Sequence, residues 1–397
     1  MRLTRVVSLS FVLAGAVYGA WLGFGVQTMG DYPVDYGAAM HALLGGHLGA
    51  FFANLPTNGA GGSLLLRAPA AMIGRLLVGG QLAEFRFGAL ACLLAAGALG
   101  MALAARMGRT GAPPIARACV LGLCVLAPVV LDSIRFGHPE EPLGAALCVA
   151  AVLLAASSRT GFAGIALGLA MVNKPWGVLA VAPVLLAARE RQLRLLLGAA
   201  GICLSWTLAA YLGDQAHFGR IVAGASTSVV AHPVDLWWPL AHLHLAPGVE
   251  PAYFPPAVLA SHARELAVLL ALPLSLPLLR RSQRSTDDCL ALVALLFLLR
   301  CLLDPSNHVY YQVPFVLALT AWESRTHRYP VASLVATAGF FAIFHTISGT
   351  GSLTAQFLGF LVIALPLVAV LLRDAIFPRG DRHRGRQPVP VVAALGS

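Results

Sequence analysis

The chain has 397 residues, of which 58% are hydrophobic and 11% are charged, and its mean hydropathy is +0.79. A soluble domain usually carries about 25% charged residues, so this composition argues strongly against a soluble globular enzyme. The high content of Leu, Val and Ala also excludes a disordered chain. The long Ala- and Leu-rich runs are unlike the short alternating strands of a β-barrel.

The charge balance is strongly positive, with a formal net charge of +10 and Lys174 as the only lysine. Short basic loops on one side of a membrane explain such a balance, so we expect no nucleic-acid partner. The seven cysteines lie in or beside apolar runs without a CxxC pair, which predicts no disulfide framework. The spacing of His242 and His244 after Asp235 matches no strong zinc signature, and we expect neither a metal nor a cofactor.

The first apolar run covers residues 6–26, directly after Arg2 and Arg5. It is longer than the roughly 7–15 residues of a signal-peptide core, so it predicts a first transmembrane helix that begins in the cytoplasm. Twelve more apolar runs follow, at 64–80, 85–105, 115–133, 142–157, 161–173, 175–188, 195–212, 263–280, 287–303, 309–322, 329–347 and 353–372.

The distribution of arginine predicts the topology. With both termini cytoplasmic and run 64–80 lying in the outer leaflet, 19 of the 27 basic residues fall on the inner side. Arg67 and Arg75 of that run would then share one helix face. The sequence thus predicts an all-α polytopic protein of the plasma membrane, with about twelve transmembrane helices and surface helices in its first outer loop.

This topology treats residues 1–372 as a single transmembrane domain. It leaves two large outer segments, at 27–84 and 213–262, and a basic cytoplasmic tail at 373–397. Because the inner loops are short and merely basic, we expect the functional residues in the outer segments.

Two carboxylates, Asp31 and Asp35, stand four residues apart just beyond the first helix. One interpretation is helix capping at a solvated membrane surface. The other is a general base at the membrane–water boundary.

The turn that contains Arg135, His138 and Glu140 places several ionisable groups between two apolar helices. It predicts either a turn with acidic residues in the first helical turn or a polar cluster that binds a substrate hydroxyl or a phosphate.

Lys174 interrupts what would otherwise be one apolar run from 161 to 188. A charge at mid-depth of a bilayer costs roughly 3 kcal/mol, and such residues are functional candidates. The alternatives are a snorkelling cation beside a Trp anchor and a point charge that binds the phosphate of a donor.

The densest polar group comprises Arg300, Asp304, His308, Tyr310 and Tyr311. It predicts either an aromatic belt with an Arg–Asp pair or a substrate site. In the second case Arg300 and His308 hold a phosphate, and the two phenols stack on a sugar.

These features together resemble the GT-C superfamily of membrane glycosyltransferases, which use polyprenyl-phosphate-linked sugars. The family's acidic residue at the start of the first outer loop, followed by a short helix and a glycine, corresponds to Asp31, residues 38–44 and Gly45. The run from Gly164 to Lys174 is similar to actinobacterial polyprenyl-phosphate mannosyl- and arabinosyltransferases, in which a lysine lies near the lipid phosphate. The usual Asp-Glu pair of the family reads Asp-Tyr here.

The resemblance implies inverting transfer of a sugar from a polyprenyl-phosphate donor to a cell-envelope glycan or glycolipid acceptor on the extracytoplasmic face. Asp31 or Asp35 would be the base. The main alternative is a polytopic transporter or flippase of a lipid-linked or small polar substrate, although we find none of the internal repeats common in that class. A non-catalytic membrane scaffold is a third interpretation.

Overall fold

The computed structural model describes residues 15, 18, 19, 29–57, 59, 61–224, 230–244, 252–281, 284–348 and 351–376. The expected first transmembrane helix at 6–26 lies outside these residues apart from three isolated positions, and so does the tail beyond 376. Both therefore stay predictions.

Sixteen α-helices make up most of the described residues. They are α1 (Ala38–Leu44), α2 (Leu48–Ala53), α3 (Gly62–Leu77), α4 (Gln81–Arg109), α5 (Pro114–Val125), α6 (Pro128–Arg135), α7 (Glu140–Ala156), α8 (Thr160–Asn173), α9 (Val181–Ala187), α10 (Gln192–Gly213), α11 (Gln215–Gly224), α12 (Ala257–Leu279), α13 (Thr286–Leu303), α14 (Gln312–Thr326), α15 (Val331–Ala342) and α16 (Leu353–Ile376).

Short irregular elements connect several of these helices. Turns of 3₁₀-helix cover Pro175–Ala180, Trp238–Leu240 and Val309–Tyr311, and π-helical turns cover Pro33–Gly37 and Ile343–Ile347. One antiparallel strand pair is described, β1 (His242–His244) with β2 (Ala252–Phe254), in which His242 pairs with Phe254.

Five helical segments of the described residues are long and apolar enough to cross a membrane: Gln81–Arg109, Pro114–Arg135, Gln192–Gly213, Ala257–Leu279 and Leu353–Ile376. Three shorter apolar segments are Thr160–Asn173, Pro175–Ala187 and Val331–Ile347. The chain is therefore all-α, and its long apolar helices indicate a membrane protein. The number of crossings and the sides of the termini stay predictions.

The run expected at 115–133 as one helix is divided into α5 and α6. Ala127 is extended, with φ −56° and ψ 134°, directly before Pro128. A proline disfavours helical backbone at the residue before it and has no amide hydrogen to donate. The chain therefore restarts its helix at Pro128 and ends it at the polar turn after Arg135.

The core of the described bundle is formed by α13 and α14. Both helices are buried on every side over most of their length, which explains why their sequences show no polar stripe. Helix α13 packs against α12, α14 and α16, and α14 also packs against α7. On the other side of α7, helices α8 and α10 pack against one another.

Helix α3, the run expected in the outer leaflet, packs along α4. Its Arg67 is fully buried, whereas Arg75 is half-buried and its Nε lies 3.9 Å from a carboxylate oxygen of Glu84. Arg67 in turn faces the carboxylate of Glu140 in α7. Both arginines of α3 thus contact carboxylates of other helices. Their charges contribute to contacts within the protein.

Candidate functional site

A backbone contact brings the start of the first predicted outer loop to the turn between α6 and α7. The amide of Asp31 donates to the carbonyl of Phe136 at 3.1 Å. Gly30 and Gly137 both have positive φ, of 52° and 88°. A Cβ on Gly30 would lie 2.2 Å from the carbonyl carbon of Phe136, and one on Gly137 would lie 2.9 Å from the amide nitrogen of Asp31. The close approach requires glycine at both positions, and it brings Asp31 beside His138.

Three side chains form a chain of contacts from the surface into the protein. His138 Nε2 lies 3.3 Å from Asp31 Oδ2, and its Nδ1 lies 2.9 Å from Glu140 Oε1. The side chain of Asp31 is 62% exposed, whereas those of His138 and Glu140 are buried. Asp31 is therefore the accessible end of this chain.

The carboxylate of Asp31 and the imidazole of His138 favour each other's charged form. The hydrogen bond with His138 lowers the pKa of Asp31 below its ordinary value. Burial on its own would lower the pKa of His138, but the hydrogen bonds with Asp31 and Glu140 raise it overall. Asp31 is therefore an ionised carboxylate at neutral pH.

Glu140 is buried and is contacted by donors from separate parts of the chain. The hydroxyl of Tyr36 donates to Glu140 Oε1 at 2.9 Å, and Lys174 Nζ lies 3.2 Å from the same oxygen. Arg67 lies 3.6 Å from Oε2, and Asn173 Nδ2 donates to the backbone carbonyl of Glu140 at 2.8 Å. A buried carboxylate is stable only with such partners.

Lys174 is a counter-ion rather than an open cation. It is 7% exposed, and its Nζ lies 3.2 Å from carboxylate oxygens of both Glu140 and Glu141. Two carboxylates thus balance its charge, and the expected role of Lys174 at the phosphate of a donor stays a prediction. In the sequence Lys174 is a lone charge between apolar segments. In the structure it is part of a buried cluster of ion pairs with Glu140 and Glu141.

The two arginines expected to bind phosphate lie in different surroundings. Arg300 is buried, with its guanidinium 4.2 Å from the ring centroid of Tyr311 and 5.4 Å from that of Trp176. Arg135 is exposed at the end of α6, and within the described residues it makes no ion pair. Arg135 is therefore the more accessible cation beside the turn.

Tyr310, one of the two residues expected to stack on a sugar, belongs to a column of rings that also contains His138, His308 and His232. Tyr310 stacks on His138 with ring centroids 4.1 Å apart, and on His308 with centroids 5.2 Å apart. His232 follows, 4.4 Å from His308, while Tyr311 meets Tyr310 edge-on.

Burial lowers the pKa of His308 to about 3. It is therefore a neutral imidazole at physiological pH, which can take part in a hydrogen bond but supplies no positive charge. The expectation that His308 helps to hold a phosphate stays a prediction, in which the imidazole would act through a hydrogen bond and not through a charge.

Asp35 differs from Asp31 in its environment. It lies half-buried in the π-helical turn Pro33–Gly37, where burial raises its pKa although His138 opposes the shift. The N-cap residue of this turn is Tyr32, whose side chain makes no cap bond. The backbone carbonyl of Asp31 accepts from the amides of Val34 and Asp35 instead.

The sequence interpretation missed a second carboxylate–imidazole pair. Asp132 of α6 is buried, and its Oδ2 lies 2.6 Å from Nε2 of His345 in the π-helical turn Ile343–Ile347. An acid inside an apolar helix was the available signal. This pair borders a cavity of about 390 Å³ whose lining includes Phe136, His232, Asn307, His308, Tyr310 and His345.

The described residues contain no group of three or more His, Cys, Asp or Glu side chains arranged to hold a metal ion. The histidines of the site instead contact rings and carboxylates. Their observed contacts are those of hydrogen-bonding and packing groups.

Comparison with protein-family models and with curated proteins gave no match. The function is therefore argued from the site itself.

The backbone contact at Gly137 can be tested with alanine. Gly137→Ala should lower the melting temperature of the purified protein well beyond Gly111→Ala, because only Gly137 adds a backbone clash to the strain of a positive φ. The strain alone costs about 1–2 kcal/mol. Gly111 is the matched control, because its φ is 79° and a Cβ added there would meet nothing within 4 Å. Equal losses in the two variants would contradict the proposed close contact.

The pair of Asp31 and His138 should make stability depend on pH. Because the pKa of His138 is raised above 6.5, its stabilisation is fully present below pH 6.5 and is lost as the pH rises through the raised value. The melting temperature of the wild type should exceed that of His138→Gln most below pH 6.5, and less in alkaline buffer. His47→Gln, at an exposed position, is the control, and a pH-independent difference for His138→Gln would argue against the charged pair.

Proposed function

We propose that the chain is an inverting glycosyltransferase that moves a sugar from a polyprenyl-phosphate donor to a cell-envelope glycan or glycolipid acceptor. The observation that supports this most directly is the exposed carboxylate of Asp31, oriented by the buried His138–Glu140 pair. A base held by an orienting group, beside accessible space, is the arrangement that group transfer needs.

Asp31 acts as the general base in this proposal. Its lowered pKa keeps it ionised and able to take the proton of an acceptor hydroxyl. As the acceptor oxygen attacks the anomeric carbon, the bond from that carbon to the phosphate oxygen breaks and the phosphate leaves with the electron pair. A single displacement of this kind inverts the anomeric configuration, as in inverting glycosidases.

The leaving phosphate is assigned to Arg135. Lys174 and Arg67 already face the buried carboxylates Glu140 and Glu141. Arg135 is exposed and directly precedes Phe136, whose carbonyl accepts from the amide of Asp31. A guanidinium is well suited to a phosphate because it offers several parallel donors.

A lipid-linked donor is supported by a second surface. A groove of about 360 Å³ between α3, α8 and α10 is lined almost entirely by apolar side chains, among them Leu65, Leu169, Ile202 and Trp206. Such a surface suits a prenyl chain. In this proposal about twelve helices cross the plasma membrane, both termini are cytoplasmic, and the site faces the extracytoplasmic side.

The position of the site favours an enzyme over the transporter alternative. Asp31, His138, Lys174 and Tyr310 all lie in turns at helix ends, whereas secondary transporters bind substrate near the middle of the membrane.

The base is tested with membranes that contain the protein and radiolabelled decaprenyl-phosphate sugars. Asp31→Asn should lower transfer by about 10²-fold or more, because an amide cannot accept the proton. Asp35→Asn should retain most of the activity. Loss in Asp35→Asn alone would move the base to Asp35, and full activity in both variants, or no transfer by the wild type, would overturn the proposal.

The phosphate role of Arg135 predicts a selective kinetic change. Arg135→Gln should raise KM for the lipid-linked donor about tenfold or more, roughly the loss of one charge-assisted contact, while KM for the acceptor stays unchanged. Arg159→Gln is the matched control, since Arg159 is exposed just beyond the opposite end of α7. An unchanged donor KM in Arg135→Gln would remove Arg135 from the phosphate site.

A further inference from the structure

The cavity of about 390 Å³ shares a wall with the carboxylate–imidazole pair of Asp31 and His138. Tyr310 lines the cavity and stacks on His138. Phe136 also lines the cavity, and its carbonyl accepts from the amide of Asp31. Phe136 and Tyr310 thus connect the wall of the cavity to Asp31 and His138.

The described lining of this cavity carries no lysine or arginine. His232 and His308 line it, and burial lowers the pKa of each, so both are uncharged at neutral pH. Neither His232 nor His308 thus offers a positive charge to a phosphate or a carboxylate inside the cavity. The volume lies near the lower end of the roughly 300–1,000 Å³ typical of small-molecule sites, which suits a single ring or a short polyol.

The polar and aromatic groups of the lining suit hydroxyl groups on a carbon ring. Phe136 and Phe344 present aromatic rings, whose negative faces attract the C–H bonds of a sugar ring. Imidazole nitrogens next to these rings accept or donate hydrogen bonds to hydroxyls.

His345 is held in a defined orientation at this wall. Its Nε2 lies 2.6 Å from the buried carboxylate of Asp132. When Nε2 donates its hydrogen to Asp132, Nδ1 is left as an acceptor, and among the described residues Nδ1 makes no hydrogen bond. Gln356 Nε2 donates to the carbonyl of Ile343 at 3.2 Å and ties this turn to α16.

We propose that this cavity is the acceptor subsite and that it binds an uncharged polyhydroxyl group, with His345 accepting a hydrogen bond from one hydroxyl. This inference rests on the glycosyltransferase function proposed above, and it names the chemical class of the acceptor end that the site takes.

Binding is measured on the purified full-length protein, independently of transfer, by saturation-transfer NMR. The probes are methyl α-mannopyranoside, myo-inositol and, as the anionic comparison, inorganic phosphate. Ser348 lines the cavity and is exposed at its rim, so Ser348→Trp should fill the space and weaken binding of the two polyols about tenfold or more, a loss of about 1.4 kcal/mol. Thr346→Trp, exposed on the same turn and outside the lining, should leave binding unchanged.

A second variant, His345→Gln, keeps the inference testable if Ser348→Trp does not fold. His345→Gln keeps a donor for Asp132 but removes the ring acceptor, and it should weaken polyol binding while the melting temperature changes little. No polyol signal from the wild type, displacement of polyol by inorganic phosphate, or equal binding in Ser348→Trp, His345→Gln and the wild type would each overturn the inference.

The two proposals fail in different ways. Polyol binding that Ser348→Trp abolishes, in a protein that transfers no sugar, would leave a polyol site without the glycosyltransferase function. Sugar transfer with an unchanged acceptor KM in Ser348→Trp would keep that function and place the acceptor elsewhere.

Discussion

The buried carboxylate of Glu140 is the point on which the site depends. A carboxylate without solvent is unstable unless ion pairs and hydrogen bonds replace its hydration. Tyr36, Arg67, His138 and Lys174 supply these contacts from the π-helical turn Pro33–Gly37, α3, the turn before α7 and the turn after α8. The contacts that stabilise the Glu140 carboxylate therefore hold four segments of the chain in fixed positions relative to one another.

His138 connects the buried carboxylate of Glu140 to the surface residue Asp31 and to Tyr310 in the C-terminal half of the chain. One ring nitrogen contacts Glu140 and the other contacts Asp31. The face of the ring stacks on Tyr310, which follows α13. The exposed carboxylate, the ring column and the neighbouring cavity therefore depend on one residue held from both sides, so the proposed acceptor subsite and the proposed base cannot shift independently.

The helices could be predicted closely from hydropathy, because apolar runs report burial directly. Runs 161–173 and 353–372 correspond to Thr160–Asn173 and Leu353–Ile376. The polar turns around Asp31, His138 and Lys174 could also be identified, because charges between apolar runs are costly.

The roles of individual residues could not be predicted in the same way, because each role depends on a partner far away in the sequence. Tyr36 and Glu140 are separated by 104 positions, and Asp132 and His345 by 213. The sequence marks Lys174 as a charge in an unusual place, but only the fold shows that carboxylates already surround it.

The length of α8 has a consequence for the surrounding lipid. With 14 residues and a rise of about 1.5 Å per residue, this helix extends only about 21 Å, against a hydrocarbon thickness of about 30 Å. Hydrophobic mismatch of this size is relieved by local thinning of the bilayer or by recessing one helix end below the headgroups. In the predicted topology, in which α8 crosses the membrane, such thinning draws lipid headgroups towards the depth of the Lys174 end, so a membrane-borne substrate of the proposed enzyme would meet the protein without first leaving its leaflet.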